Sequence, residues 1–141
     1  MARLNPYISF DGNAREAMEY YRTVFGGTLQ MDTFEEFPMD GMTDDQLQLI
    51  MHAQLETPAG FTLMGADTLP GMPFEAGARI TISLSGASSD EVALRGCWDA
   101  LARHGTVTMP LETAPWGAAF GGLVDRYGVQ WFVNIGDATQ R

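Results

Sequence analysis

Apolar and polar positions follow two rhythms along this chain, and the rhythms recur twice in the same order. Near the N-terminus Ile8 and Phe10 alternate with Asn5, Tyr7 and Ser9, a period that predicts a short strand. From Asn13 the spacing becomes helical: Ala14, Ala17, Met18, Tyr21 and Phe25 share one face. Glu16 is placed to close a capping box on Asn13, and Gly26-Gly27 supply the stop. Strand alternation then returns at Thr28-Leu29-Gln30-Met31, over Leu49 to Glu56 and over Phe61 to Ala66.

The second half repeats this order. Ile82-Ser83-Leu84-Ser85-Gly86 matches Ile8-Ser9-Phe10-Asp11-Gly12. A helix from Ser88, with Glu91 in the capping role, carries Leu94, Cys97, Trp98 and Leu101 on one face and ends at Gly105. Strands are predicted at Thr106-Val107-Thr108-Met109, at roughly Phe120 to Val124 and at Val129 to Ile135. The turns Thr57-Pro58-Ala59-Gly60 and Asp125-Arg126-Tyr127-Gly128 each end on a glycine able to take positive φ. Each half thus reads β-α-β-β-β. The expected fold is α+β: two tandem βαβββ modules form a curled mixed sheet around a cleft, with the helices outside. One domain is expected over residues 1–141, with module one at about 1–70 and module two at about 78–137. The Met-, Pro-, Gly- and Asp-rich stretch from Glu35 to Gln46 is expected to be a mobile loop, a lid or an intersubunit contact.

The apolar parity of each strand must meet its helix, so the other parity is expected to line the cleft. Ile80, Ile82 and Leu84 then pack, as do Leu49, Met51, Ala53 and Leu55, and Trp131, Val133 and Ile135. Tyr7, Met64 and Phe132 give apolar walls, with Thr62 also inward. His52, Gln54, Arg79, Gln130 and Asn134 supply directional polar groups, a mixture suited to a small organic molecule. The Gly-rich loop Ala114 to Gly122 carries Trp116 and Phe120, which are placed to close over a ligand or to plug a core edge.

Composition narrows the classes. With 141 residues, 45% hydrophobic and 18% charged, the chain can build a core without staples. A formal net charge of −10 repels phosphate backbones and anionic lipid, so neither nucleic acid nor membrane is an expected partner. No apolar run is long enough to span a bilayer, and a cytoplasmic protein is expected. The single Cys97 excludes an intrachain disulfide and reads as a core thiol. His104, in the last turn of the second helix, reads as structural.

Several segments resemble PhnB-like proteins. These are Asn5 to Ala14, Tyr20-Tyr21 to Phe25-Gly26-Gly27, Ile50-Met51-His52-Ala53, Leu63-Met64-Gly65, Ala114-Pro115-Trp116-Gly117 and Asp125 to Trp131. That family is part of the vicinal-oxygen-chelate superfamily of glyoxalases, bleomycin-resistance proteins and extradiol dioxygenases. The resemblance implies a homodimer, with clefts that commonly use residues of both subunits. It also implies a divalent metal held by His, Glu or Gln from the first and last strand of each module. Carried over by position, those sites fall at Asn5, Met64, Arg79 and Phe132, or two residues along at Tyr7, Ala66, Thr81 and Asn134. Neither set holds a usual metal donor, so no cofactor is expected. Some PhnB-like proteins carry a methyltransferase label, but no glycine-rich nucleotide loop follows a strand here.

The expected function is metal-free binding of a small organic molecule, with Trp116, Phe120 and Phe132 stacking on it and His52, Gln54 and Arg79 orienting it. The alternative is a divalent-metal-dependent or metal-free enzyme of the same superfamily, a lyase, isomerase or dioxygenase, with His52 as acid–base group or ligand and Arg79 holding a carboxylate or phosphonate.

Overall fold

In the computed structural model, which describes residues 5–68, 80–113 and 117–136, each half of the chain folds as a β-α-β-β-β module with its own four-stranded mixed sheet. The chain divides into two units, Met1–Glu75 and Ala76–Arg141. The first contains β1 (Tyr7–Phe10), α1 (Ala14–Phe25), β2 (Thr28–Thr33), a short α2 (Asp44–Leu47), β3 (Ile50–Glu56) and β4 (Thr62–Asp67), in sheet order β1-β4-β3-β2. The second contains β5 (Ile82–Gly86), a 3-10 turn at Ser88–Asp90, α3 (Glu91–Ala102), β6 (Thr106–Thr113), β7 (Ala119–Val124) and β8 (Gln130–Ile135), in order β5-β8-β7-β6. In each sheet the first strand runs parallel to the last, and the other pairs are antiparallel. No described helix is long and apolar enough to cross a membrane.

The predicted parity decides what is buried. Ala14, Ala17, Met18 and Tyr21 of α1 are fully enclosed against Phe10, Ala53, Leu55 and Leu63. Gly65 permits that seating, because a Cβ there would stand 2.9 Å from the Phe10 ring and 3.3 Å from the Met18 sulfur. In the second unit Trp98 and Leu101 of α3 share a core with Leu123, Trp131, Val133 and Ile135. Helix α1 lies across β2, β3 and β4, whereas α3 lies across β5, β8 and β7. Val107 and Met109 of β6 are correspondingly exposed.

Two buried carboxylates tie the modules internally. Asp67, at the end of β4, accepts the Ala14 N–H on Oδ1 and the Ile50 N–H on Oδ2, each at 2.9 Å. It therefore caps α1 from 53 residues away, where the helix dipole favours a negative charge. The expected Asn13–Glu16 capping box does not form; Asn13 sits at φ −117°, ψ 24°, outside the extended region a side-chain cap needs. Asp125 accepts the Tyr127 and Val129 N–H groups on Oδ1 at 2.8 and 3.1 Å, and Trp131 Nε1–H on Oδ2 at 2.9 Å.

The stretch Glu35 to Gln46 is turn and loop up to α2, which starts with a capping box in which Gln46 N–H donates to Thr43 Oγ1 and Thr43 N–H to Gln46 Oε1. Other expectations are corrected. Asp90, not Glu91, turns back on the start of α3, accepting the Ala87 N–H at 3.2 Å, while Glu91 pairs with Arg95 at 2.8 Å. Ile80 precedes β5 and is 81% exposed instead of packed. Ile50, on the polar parity of its strand, is buried because the β2–β3 register shifts at Asp32/Thr33. His104 lies beyond the helix in the left-handed region, at φ 66°. The repeat alignment also moves. Thr68 N–H donates to the Phe10 carbonyl, and Gly136 N–H to that of Gly86, so Phe10 and not Gly12 corresponds to Gly86.

Replacing Asp67 or Asp125 with Ala strands two or three buried donors and is expected to cost about 2–4 kcal/mol in urea unfolding. His104→Gly relieves the left-handed conformation and is expected to add about 1 kcal/mol in the same assay.

Candidate functional site: two open sheet faces

Because one helix covers one face of each sheet, the opposite parity of every strand forms an open face. In the first unit, register sets Tyr7, Met64, Gln54 and Gln30 in one row across β1, β4, β3 and β2. His52 lies in the next row, opposite Asp32. The Tyr7 hydroxyl lies 3.4 Å from His52 Nδ1, with ring centroids 5.9 Å apart. Tyr7 is 53% exposed, and His52 beside it is part-exposed. Gln54 Nε2–H donates to Glu56 Oε1 at 3.2 Å. Thr62 has the expected parity but is buried, so it adds no contact surface.

The second unit has a different character. Phe132 lies opposite Ser83 and Gly122, and Asn134 lies opposite Ser85 and Phe120. The Phe120 and Phe132 rings are tilted by 52° with centroids 5.1 Å apart. A Cβ on Gly122 would stand 3.1 Å from two Phe132 ring carbons, so this glycine lets the ring lie across the sheet. Thr81 Oγ1–H donates to Gln130 Oε1 at 2.9 Å, and the Ser83 and Ser85 hydroxyls share a hydrogen bond at 3.1 Å.

The structure thus brings Tyr7, His52, Gln54 and Met64 together on one face, and Phe120, Gln130, Phe132 and Asn134 together on another. Arg79 and Trp116 lie outside the described residues. Sequence reasoning missed Gln30 and Asp32, and also Glu112, whose register partner is Phe120. All three sit on edge strands with weak apolar alternation, and β2 and β6 run further than that alternation showed. A hollow of about 360 Å³ lies between α3 and β6, lined by Arg95, Trp98, Asp99, Val107, Pro110 and Leu111; none of the expected site residues lines it.

The positions facing each other across the first and last strands are Tyr7 with Met64 and Ser83 with Phe132. Of the positions carried over from the resemblance, Asn5, Met64, Arg79 and Phe132, strand register sets Tyr7 and not Asn5 beside Met64, and Ser83 beside Phe132. Neither the Tyr7–Met64 pair in the first sheet nor the Ser83–Phe132 pair in the second carries the His, Glu or Gln donors that the resemblance implies. Among the described residues, no three His, Cys, Asp or Glu side chains converge.

The family model described as 3-demethylubiquinone-9 3-methyltransferase matches residues 2–134. The chain belongs to this family. Protein YjdN of Escherichia coli is 29% identical over 94% of each chain. The structure of PA1353 from Pseudomonas aeruginosa is 36% identical and superposes with a TM-score of 0.81 over 96% of this chain and 98% of that one. A PhnB protein from Bacillus cereus superposes at 0.71 with 23% identity, over 96% and 100% of the two chains. FosX of Listeria monocytogenes, a fosfomycin resistance protein solved with Mn(II) and sulfate, reaches 0.59 at 11% identity, over 100% and 98%. The PhnB-like resemblance and the glyoxalase-type fold of two βαβββ modules both hold.

Cys97 plays no part in either open face. It is half-buried on α3, and burial pushes its thiol up from the ordinary value. Iodoacetamide is therefore expected to label it several-fold more slowly than free cysteine at neutral pH, with the rate still rising above pH of about 8.5. Thiol mass spectrometry over time checks this.

Proposed function

We propose that this protein binds a small organic molecule on its open sheet faces without the superfamily's divalent metal. One observation carries the reading: Tyr7, Met64, Ser83 and Phe132 stand at the facing first- and last-strand positions. Apolar walls and hydroxyls stand at these positions in each sheet. Around them are groups that orient a ligand, among them His52, Gln54, Gln130 and Asn134. Aromatic shelves with a few directed polar groups are what small-molecule sites use. Arg79 and Trp116 remain candidate contacts on sequence grounds. The methyl transfer in the family's name is not adopted, since neither strand-to-helix turn, Asp11-Gly12-Asn13 or Gly86-Ala87, is a glycine-rich nucleotide loop. A cytoplasmic homodimer is part of the same proposal, and it rests on the resemblance to PhnB-like proteins.

A second reading is favoured by the Tyr7–His52 contact. In an enzyme, His52 would be the acid–base group: with Tyr7 O–H donating to Nδ1, the Nε2–H is left to hydrogen-bond a substrate.

Gentle purification followed by elemental analysis is expected to find Ni, Zn, Mn and Fe all well below one per chain; a stoichiometric metal overturns the reading. In a thermal-shift screen a true ligand raises Tm with its concentration. Phe132→Ala is expected to weaken that ligand by roughly tenfold, in line with losing an aromatic contact of about 1 kcal/mol. Tyr7→Ala tests the face of the first sheet in the same way.

A further inference from the structure

We infer that the open face of the second sheet is a site for a planar organic cation, a positively charged nitrogen carried on a flat apolar body. This rests on the small-molecule reading above and narrows it to one ligand class. Strand register builds the patch from two neighbouring rows. One row runs Glu112, Phe120, Asn134, Ser85 across the sheet. The next sets Met109, Gly122, Phe132 and Ser83 side by side. The β6 register shifts between Met109 and Glu112, which lets both point to the same side despite their odd spacing. Over Gly122 lie the Phe132 ring and the Thr108 hydroxyl, with Phe120 beside the ring. Met109 is 49% exposed and Phe132 39% exposed, so these two side chains offer surface to a flat molecule, with the part-exposed Phe120 at the border of the patch.

Charge selects which flat molecule. Aromatic faces carry negative potential and attract a cation lying over them. The single ionisable side chain in the two rows is Glu112, directly across from Phe120. It makes no ion pair or hydrogen bond among the described residues. The other polar groups at the patch are the neutral Asn134 amide, the Ser83–Ser85 hydroxyl pair and the Thr108 hydroxyl over Gly122. The chain has no lysine, and its described arginines lie elsewhere: Arg15 and Arg22 on α1, Arg95 and Arg103 on or just after α3, and Arg126 in the β7–β8 turn. A net charge of −10 draws cations toward the whole molecule. A cation resting on the phenyl pair meets the Glu112 carboxylate at its edge, whereas an anion meets that carboxylate with no described base beside it. Arg79 lies outside the described residues, and an anionic probe measures any pull it exerts.

Three bicyclic probes of similar shape test the site at neutral pH by calorimetric titration of the full chain: N-methylquinolinium, quinoline and quinoline-2-carboxylate. The expected order is cation, neutral, anion, with the cation about tenfold tighter than quinoline at low salt and the gap shrinking as salt rises. In Glu112→Gln the ratio of cation to quinoline affinity is expected to fall close to one. Glu112 is exposed, and an unchanged melting temperature confirms that the variant is folded. Phe132→Ala is expected to weaken cation and quinoline together. Tighter binding of the anion, an unchanged ratio in Glu112→Gln, or failure of all three probes overturns the cation site. If a different ligand found in the thermal-shift screen still depends on Phe132, the metal-free binding reading survives that failure.

Discussion

The structure depends on one constraint. A strand's side chains alternate, and each module has one long helix to cover its sheet. The helix-facing parity must be apolar to bury the helix, which leaves the other parity free to carry chemistry. Parallel pairing of the first strand with the last completes the arrangement, because it sets Tyr7 beside Met64 and Ser83 beside Phe132. Every group assigned to an open face follows from this division. Gly65 and Gly122 act on opposite sides of it: the first lets Met18 and Phe10 close on the sheet, and the second lets Phe132 lie flat across it.

The two modules share a plan and differ in what their open faces offer. The first presents hydrogen-bonding groups, with Tyr7 and His52 in contact and Asp32 opposite His52. The second presents a phenyl pair bordered by hydroxyls, an amide and one carboxylate. Duplication supplied the frame, and divergence of the open parity set the chemistry. The glyoxalase-type neighbours share that frame, and FosX was solved with Mn(II). Here Tyr7, Met64, Ser83 and Phe132 stand at the facing strand positions. Fold alone therefore does not carry metal chemistry into this chain.

Much of the fold was legible because burial leaves a period in the sequence. Trp131, Val133 and Ile135 read as packed and are buried, and the stripe Ala14, Ala17, Met18, Tyr21 is fully enclosed. What was not legible came from tertiary contacts. Asp67 caps α1 from a strand far along the chain, which no local pattern reveals. The repeat was misaligned by two residues because Gly12 and Gly86 look equivalent but are not. Gly12 sits in a turn at φ 90°, whereas Gly86 ends a strand, with Asp90 and Leu94 packed where a Cβ would stand. Of the site, the residues on Tyr7, His52, Gln54, Met64 and the β8 parity were placed by alternation alone. Asp32 and Glu112 needed the register of edge strands, which alternation does not supply.

The central claim is that the facing first- and last-strand residues hold no divalent ion. Titrating isotopically labelled protein with Mn²⁺ tests it most directly, because a bound paramagnetic ion broadens nearby NMR signals. The account predicts that Tyr7, Met64, Ser83 and Phe132 lose no more intensity than exposed acidic surface residues do. Saturable broadening centred on those four at about one ion per chain would contradict it.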